Sequence, residues 1–240
     1  MEEQINIPLS DGKKVYGVIN KTINETDKLV IFVHGFTGHP NEHFLYNAAK
    51  FFTNKGLDTF RFSFYSDNTD ARKLTETSFS EHIKDLEVVT NYFKDQYTSI
   101  YLVGHSLGAE VIIYSSADDY QAVVLWEPAR DVKDLCLDLE FNKEIDCYIE
   151  HSNVDILVGK NFVTDAENLP TITPVIKSFN KPIKIIGAEL AGAKIAEELY
   201  FNNANNPKEI YIIKNSGHTF DENGAEEELF RETFDWMGKY

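Results

Sequence analysis

The sequence predicts an α/β protein built on a mostly parallel, doubly wound sheet with a small inserted cap. Three observations carry that expectation. Short, unbroken apolar runs alternate with longer stretches whose apolar residues recur every three or four positions. The alternation runs through residues 1–129 and resumes over 182–240, so these two stretches read as one core. Between them, over 130–181, the rhythm breaks, and this stretch reads as the insertion, expected to be a small helical cap. Strands covered by helices on both faces lose polar alternation and appear as continuous apolar runs.

The elements follow in order. Ser10-Asp11-Gly12 is a turn signal, and Val15 to Asn20 reads as a strand after it. Leu29-Val30-Ile31-Phe32-Val33 is an apolar run of the doubly buried kind. Phe44, Leu45, Ala48, Phe51 and Phe52 mark a helix that stops at Gly56. Thr59 to Phe64 alternates like a strand. Ile83, Leu86, Val89, Tyr92 and Phe93 share one face of a helix within 79–97. Ile100 to Val103 is the next buried strand, Leu107 to Ser116 a helix, and Ala122 to Trp126 another strand. After the insertion come a strand from Pro182 to Ile186, a helix from Ile195 to Phe201, a strand from Glu209 to Ile213 and a helix from Glu226 to Met237. The last begins with three glutamates, where negative charge suits the helix dipole.

Composition excludes several functions. The chain has 240 residues and a formal net charge of −16, with no basic run, so neither nucleic acid nor an anionic membrane surface is an expected partner. No apolar run approaches the 18 residues of a membrane span, and the acidic start, Met1-Glu2-Glu3-Gln4, lacks an apolar signal segment. The two cysteines, Cys136 and Cys147, read as reduced thiols of a cytoplasmic protein. No histidine or cysteine pair has metal-ligand spacing, and no glycine-rich dinucleotide motif follows the first strand; neither a metal nor a cofactor is expected. Nothing in the sequence fixes an oligomeric state.

One constellation carries chemistry. Gly104-His105-Ser106-Leu107-Gly108 lies between a buried strand and a helix, the context a nucleophile elbow requires. A sharp turn there lifts the Ser106 hydroxyl above the sheet edge, and the following helix aims its free N–H groups at the reacting centre. His34-Gly35-Phe36-Thr37-Gly38 ends the preceding parallel strand, so the amides of Phe36 and Leu107 are the expected oxyanion donors. Among seven histidines, His218 alone follows a late strand at a loop suited to a general base. His39, His43, His82 and His151 have surface-like surroundings, His105 is too close to Ser106 in the chain, and His34 sits in the oxyanion loop.

With these residues in place, the chain resembles the α/β-hydrolase superfamily. Within it, the chain is most similar to small bacterial carboxylesterases of the cinnamoyl/feruloyl-esterase and monoacylglycerol-lipase type. The resemblance rests on the two motifs above, on Arg61-Phe62, on the segment from Asn161-Phe162 to Leu169-Pro170, on Pro182, and on Gly217-His218-Thr219-Phe220. It implies a serine hydrolase that cleaves a carboxylic ester or thioester of a small or medium acyl group through an acyl-enzyme. Two departures stand out. Ser63-Phe64-Tyr65-Ser66 replaces the usual acidic residue and glycine-rich turn, and Ala191 occupies the slot where relatives carry the catalytic acid. Glu189, two positions earlier in the same loop, is the favoured substitute, with Glu127 after the preceding strand as the alternative. An empty acid slot also admits a different class, a non-catalytic ligand-binding protein with a degenerate triad.

Overall fold

The computed structural model describes residues 1–152 and 154–240. Its centre is an eight-stranded sheet in the order β1-β2-β4-β3-β5-β6-β10-β11. The strands are β1 (Glu2–Pro8), β2 (Lys14–Asn20), β3 (Lys28–Val33), β4 (Asp58–Ser63), β5 (Ser99–His105), β6 (Ala122–Trp126), β10 (Ile183–Ala188) and β11 (Lys208–Ile213). From β4 to β11 every neighbouring pair is parallel, while β1 with β2 and β2 with β4 run antiparallel. The expected mostly parallel sheet is therefore present, extended at one edge by β1, a strand that the sequence pattern had not suggested. Only Ile7 of β1 is buried, so the strand lacks a continuous apolar run.

The central strands divide two cores between alternate residues. Leu29, Ile31 and Val33 of β3 face one cluster, shared with α2 (Phe79–Phe93) and α3 (Leu107–Tyr114). Val30 and Phe32 face the other, shared with α1 (His43–Asn54) and α8 (Ala225–Met237). This is why these strands are buried along nearly their whole length. Local signals set the helix ends. Ser78 accepts a hydrogen bond from the amide of Glu81 at the start of α2, and Gly56, at φ 87°, turns the chain away after α1.

The segment between β6 and β10 contains α4 (Val132–Cys136), a separate antiparallel sheet of β7 (Glu140–Asn142), β8 (Cys147–His151) and β9 (Asp155–Val158), and then α5 (Lys160–Asn168) and α6 (Ile172–Ser178). The expectation of a helical cap is corrected here, since a three-stranded meander accompanies the helices. The segment also packs into the main core, where Phe162, Ile172 and Ile176 are fully buried. Buried acids fasten it. Glu110 of α3 accepts the Val132 amide at 3.0 Å, and Asp131 accepts the Ile172 amide at 2.7 Å. Asp131 is thus a buried tether, not the solvated surface charge its acidic surroundings suggest. Past β10, α7 (Ala193–Ile195) runs into a π-helical turn, Ala196–Phe201. No helix of the described residues is long and apolar enough to cross a membrane.

A close backbone contact joins α3 to the end of β3. A Cβ added to Gly108 would lie 2.6 Å from the His34 carbonyl oxygen and press on that of Val33 as well. Neither is a side chain that can swing aside. Gly108→Ala is expected to destabilise the protein by about 3 kcal/mol or more, which lowers the melting temperature by roughly 6–12 °C in a chain of this size. Thermal denaturation followed by circular dichroism checks this.

Candidate active site

Ser106 sits between β5 and α3 with φ 52° and ψ −120°, a conformation that costs a non-glycine residue about 1–3 kcal/mol. Its surroundings leave no other choice. A Cβ on Gly104 would stand 2.5 Å from the Gly108 carbonyl oxygen, and one on Gly35 would stand 3.1 Å from Cβ of Ser106. The Ser106 amide donates to the Trp126 carbonyl at 3.0 Å, while its own carbonyl accepts from the amides of Ala109 and Ala129. The Ser106 side chain is half-buried, and its hydroxyl has no hydrogen-bond partner among the described residues.

Backbone strain is concentrated around this point. Thr37, Ser106, Glu127, Asn215 and Phe220 all have positive φ and lie on loops at the C-terminal ends of the parallel strands. Asp146, in the segment between β6 and β10, is the other such residue among the non-glycines. Strain held by surrounding structure tends to mark functional sites, and here it outlines one.

The candidate oxyanion donors have unpaired amides. The amides of Phe36 and Leu107 donate to no described residue, and Gly35 brings the first loop against the elbow. The fully buried ring of Phe162, in α5, packs on Phe36 with centroids 5.1 Å apart, so the inserted segment roofs this loop. Beneath it, His34 accepts the Phe64 amide through Nε2 at 3.2 Å, and burial pushes its imidazole down to about 4.

His218 reaches the elbow from the loop after β11. Its backbone carbonyl lies 3.0 Å from Nε2 of His105, and the two rings are 4.8 Å apart. Burial and the neighbouring His218 push His105 down to about 3, so it remains an uncharged spacer. On the other side, Nδ1 of His218 faces Oε1 of Glu127 at 3.9 Å, within ion-pair range.

The two candidate acids are placed differently. Glu189 does not approach His218; no carboxylate oxygen of Glu189 lies within 4.0 Å of it. The Glu189 side chain turns to Lys214 at 2.7 Å and the Asn215 amide at 2.9 Å, and this pair holds it below the usual carboxylate range. Glu127 is the candidate that faces His218. It is 2% exposed and accepts the Ala188 amide at 2.5 Å and the Gly192 amide. Gly192 is itself required, because a Cβ there would come 3.1 Å from the Glu127 carboxyl carbon. The loop that usually supplies an acid thus supplies the amides that hold one arriving from the end of β6.

Two neighbours escaped the sequence reading. Glu42, in the loop before α1, places both carboxylate oxygens near 3 Å from where a Gly38 Cβ would be. Burial pushes its carboxyl up to about 7, against the pull of His43 and His218. His82 was expected at the surface, yet it is 1% exposed, stacked on Phe64 at 4.4 Å, with neither ring nitrogen partnered among the described residues. The signal was available: Phe79, His82, Leu86, Val89 and Phe93 share the helical face that the core selects. A cleft of about 450 Å³ opens beside the oxyanion loop, lined by Thr37 and Gly38, by Tyr65 and Lys73, and by Ile156 and Leu157 of β9. Among the described residues no cluster of three His, Cys, Asp or Glu side chains is arranged to hold a metal ion.

Comparisons with known proteins agree with this architecture. The family model described as "Putative serine esterase (DUF676)" matches residues 23–137, just under half of the chain, a span that includes the elbow, the Phe36 loop and Glu127 but not His218. No curated protein sequence matches significantly. Among solved structures, Est1E from Butyrivibrio proteoclasticus with bound ferulic acid aligns with a TM-score of 0.81 over 98% of each chain, at 20% identity. The fold is that of the α/β-hydrolases. The α/β-hydrolase GrgF from Penicillium sp. sh18 aligns with a TM-score of 0.80 over 100% of this chain and 98% of its own, at 15% identity. The esterase domain of a Rhodothermus marinus protein aligns with a TM-score of 0.78 over 100% and 99%, also at 15% identity. At these identities the likeness is one of α/β-hydrolase fold, and chemistry must be argued from the site.

The buried His82 gives a stability prediction. Burial holds its pKa well below the ordinary histidine value. The unfolded chain takes up a proton near pH 6.5 that the folded protein refuses, so stability falls as pH drops below that point. His82→Phe removes the penalty. Relative to the unmodified protein, the variant is expected to gain about 2 kcal/mol between pH 6.5 and pH 5. Urea unfolding at the two pH values measures the difference, and equal losses in both proteins would refute it.

Proposed function

We propose that the protein is a serine-dependent hydrolase of carboxylic esters or thioesters, acting through an acyl-enzyme. The observation that carries the reading is the line of groups at one end of the sheet: Ser106 on its strained turn, His218 against the adjoining His105, and Glu127 behind His218 at 3.9 Å. Ser106 Oγ attacks the acyl carbon while Nε2 of His218 takes its proton. Glu127 holds the Nδ1–H tautomer and stabilises the imidazolium that forms. The amides of Phe36 and Leu107 receive the developing oxyanion, each contributing about 2.7–4 kcal/mol by analogy with other oxyanion donors. His218 then protonates the leaving group, and water activated by the same imidazole releases the acid.

The segment over 130–181 would act as the cap, with Phe162 and β9 shaping the entrance for a small or medium acyl group. The non-catalytic alternative drew on the empty acid slot at residue 191; a buried carboxylate that reaches His218 from β6 favours the hydrolase. The two free cysteines, Cys136 and Cys147, suit a cytoplasmic enzyme. The net charge of −16 suits a small-molecule ester substrate better than nucleic acid or an anionic membrane.

The test compares four purified proteins. Ser106→Ala is expected to lose both p-nitrophenyl ester turnover and labelling by a fluorophosphonate, with an unchanged circular dichroism spectrum. Glu127→Gln is expected to lower kcat on the order of 10³–10⁴-fold. Glu189→Gln, which breaks only an exposed pair worth about 0.2–1 kcal/mol, should stay within about threefold of the unmodified protein. Unaltered turnover in Ser106→Ala would sink the mechanism, and a larger loss from Glu189→Gln than from Glu127→Gln would return the acid to the β10 loop.

A further inference from the structure

Glu42 is an acidic side chain beside the oxyanion loop that the proposed mechanism leaves idle. Its carboxylate accepts no hydrogen bond from any described residue, and Oε2 is shut off from solvent without a partner. Such a group is expensive to keep unless something meets it. The carboxyl stands against Gly38 of the oxyanion loop and is close enough to Tyr65 and His218 for charge to be felt between them. Gly38 and Tyr65, its neighbours, also line the 450 Å³ cleft.

Its position is built, not accidental. Asn41 and Pro40, immediately before it, are held by the fully buried Arg61, whose guanidinium donates to the Pro40 carbonyl at 3.3 Å and to Asn41 Oδ1. Arg61 is itself occupied by Glu2 and Asn20 on its other nitrogen, and does not neutralise Glu42. The charges that act on Glu42 are the imidazoles of His43 and His218. His43 is engaged by Asp221 and Glu226, and His218 by Glu127. Lys73, the cation lining the cleft, is paired with Asp67 and the Ser66 carbonyl. No described cation is thus paired with the carboxyl, and the Tyr65 hydroxyl beside it is likewise buried without a hydrogen-bond partner.

Building on the ester-hydrolase reading, we propose that Glu42 is a specificity-determining residue that selects substrates carrying a cationic nitrogen close to the scissile ester. A positive group bound beside the oxyanion loop would meet a carboxyl that has no hydrogen-bond partner among the described residues, in a molecule whose net charge of −16 already draws cations towards it. Because burial raises Glu42 to about 7, the selection strengthens as pH rises through that value and the carboxyl ionises.

Isosteric pairs with a permanent charge test this. Acetylthiocholine is compared with 3,3-dimethylbutyl thioacetate for the leaving-group side, and the p-nitrophenyl esters of trimethylammonioacetate and 3,3-dimethylbutyrate for the acyl side. The unmodified protein is expected to favour the cationic member of at least one pair by on the order of tenfold in kcat/KM, through KM. The ratio should be larger at pH 8 than at pH 6. Glu42→Gln should bring it to within about twofold, and Glu42→Asp should keep part of it. Equal treatment of both pairs by the unmodified protein, or a preference that survives Glu42→Gln, overturns the proposal. If the unmodified protein turns over none of the four esters, the hydrolase reading fails separately. Glu42 is then judged by calorimetric binding of acetylthiocholine to Ser106→Ala, where adding Glu42→Gln should weaken binding on the order of tenfold. Undetectable binding, or equal binding by both variants, overturns the proposal on its own.

Discussion

The site depends on how closely two backbones approach. The α3 helix lies so near the end of β3 that only glycine fits at residue 108, and the turn above it folds back so tightly that only glycine fits at residue 104. Ser106 is caught between them with φ 52°. An isolated turn of this sequence would relax, because a left-handed serine is unfavourable. It stays because the Ser106 amide is tied to β6 through Trp126, and because both faces of β5 are buried. Two consequences follow from that one constraint. Ser106 is held at the turn between β5 and α3, and the free amide of Leu107 opens the helix that follows it.

The same economy places the acid. Glu127 follows β6 in a left-handed turn of its own, φ 41°, with its amide tied to Ile186 of β10. That turn drives the carboxylate under the β10 loop, where the amides of Ala188 and Gly192 close on it. A buried carboxylate with two amide donors is held in one orientation. The Ser106 turn and the Glu127 turn are adjacent, because β5 and β6 are neighbouring parallel strands paired at His105 and Trp126. Ser106 and Glu127 are thus fixed by the same pair of strands, while His218 arrives on the loop after β11.

Much of this was legible in the sequence, and the exceptions have physical causes. The parallel strands announce themselves because burial on both faces forces continuous apolar runs such as Leu29 to Val33. The elbow is readable because its glycines are demanded within five residues, and His218 because it follows the last strand. Glu189 misled because local spacing says nothing of where a side chain turns: Lys214 and Asn215, brought alongside by β11, capture it. Glu127 is recognisable only once β6 and β10 are known to be neighbours, a pairing of residues some sixty positions apart. β1 escaped because an antiparallel edge strand with one buried residue has no apolar run, and the β7-β8-β9 meander because its strands are three to five residues long.

Two carboxyls flank the His218 loop, and their surroundings differ in kind. Glu127 is enclosed by backbone donors from β10, so its interactions are complete within the protein and serve to orient a neighbour. Glu42 is enclosed without donors, although Arg61, the nearest buried guanidinium, contacts the two residues just before it. A fold selecting only for stability would have let that guanidinium, or an amide of the Gly35–Gly38 loop, turn to it, since an unpaired buried acceptor costs about 1–3 kcal/mol. The loop instead spends its geometry elsewhere: the Gly38 amide closes a turn on the Gly35 carbonyl, and the Phe36 amide points free. The arrangement that keeps an oxyanion donor unpaired also keeps a carboxyl unpaired a few residues away. In the proposed mechanism both vacancies belong to the substrate, one for the oxygen that gains charge and one for a positive group beside it.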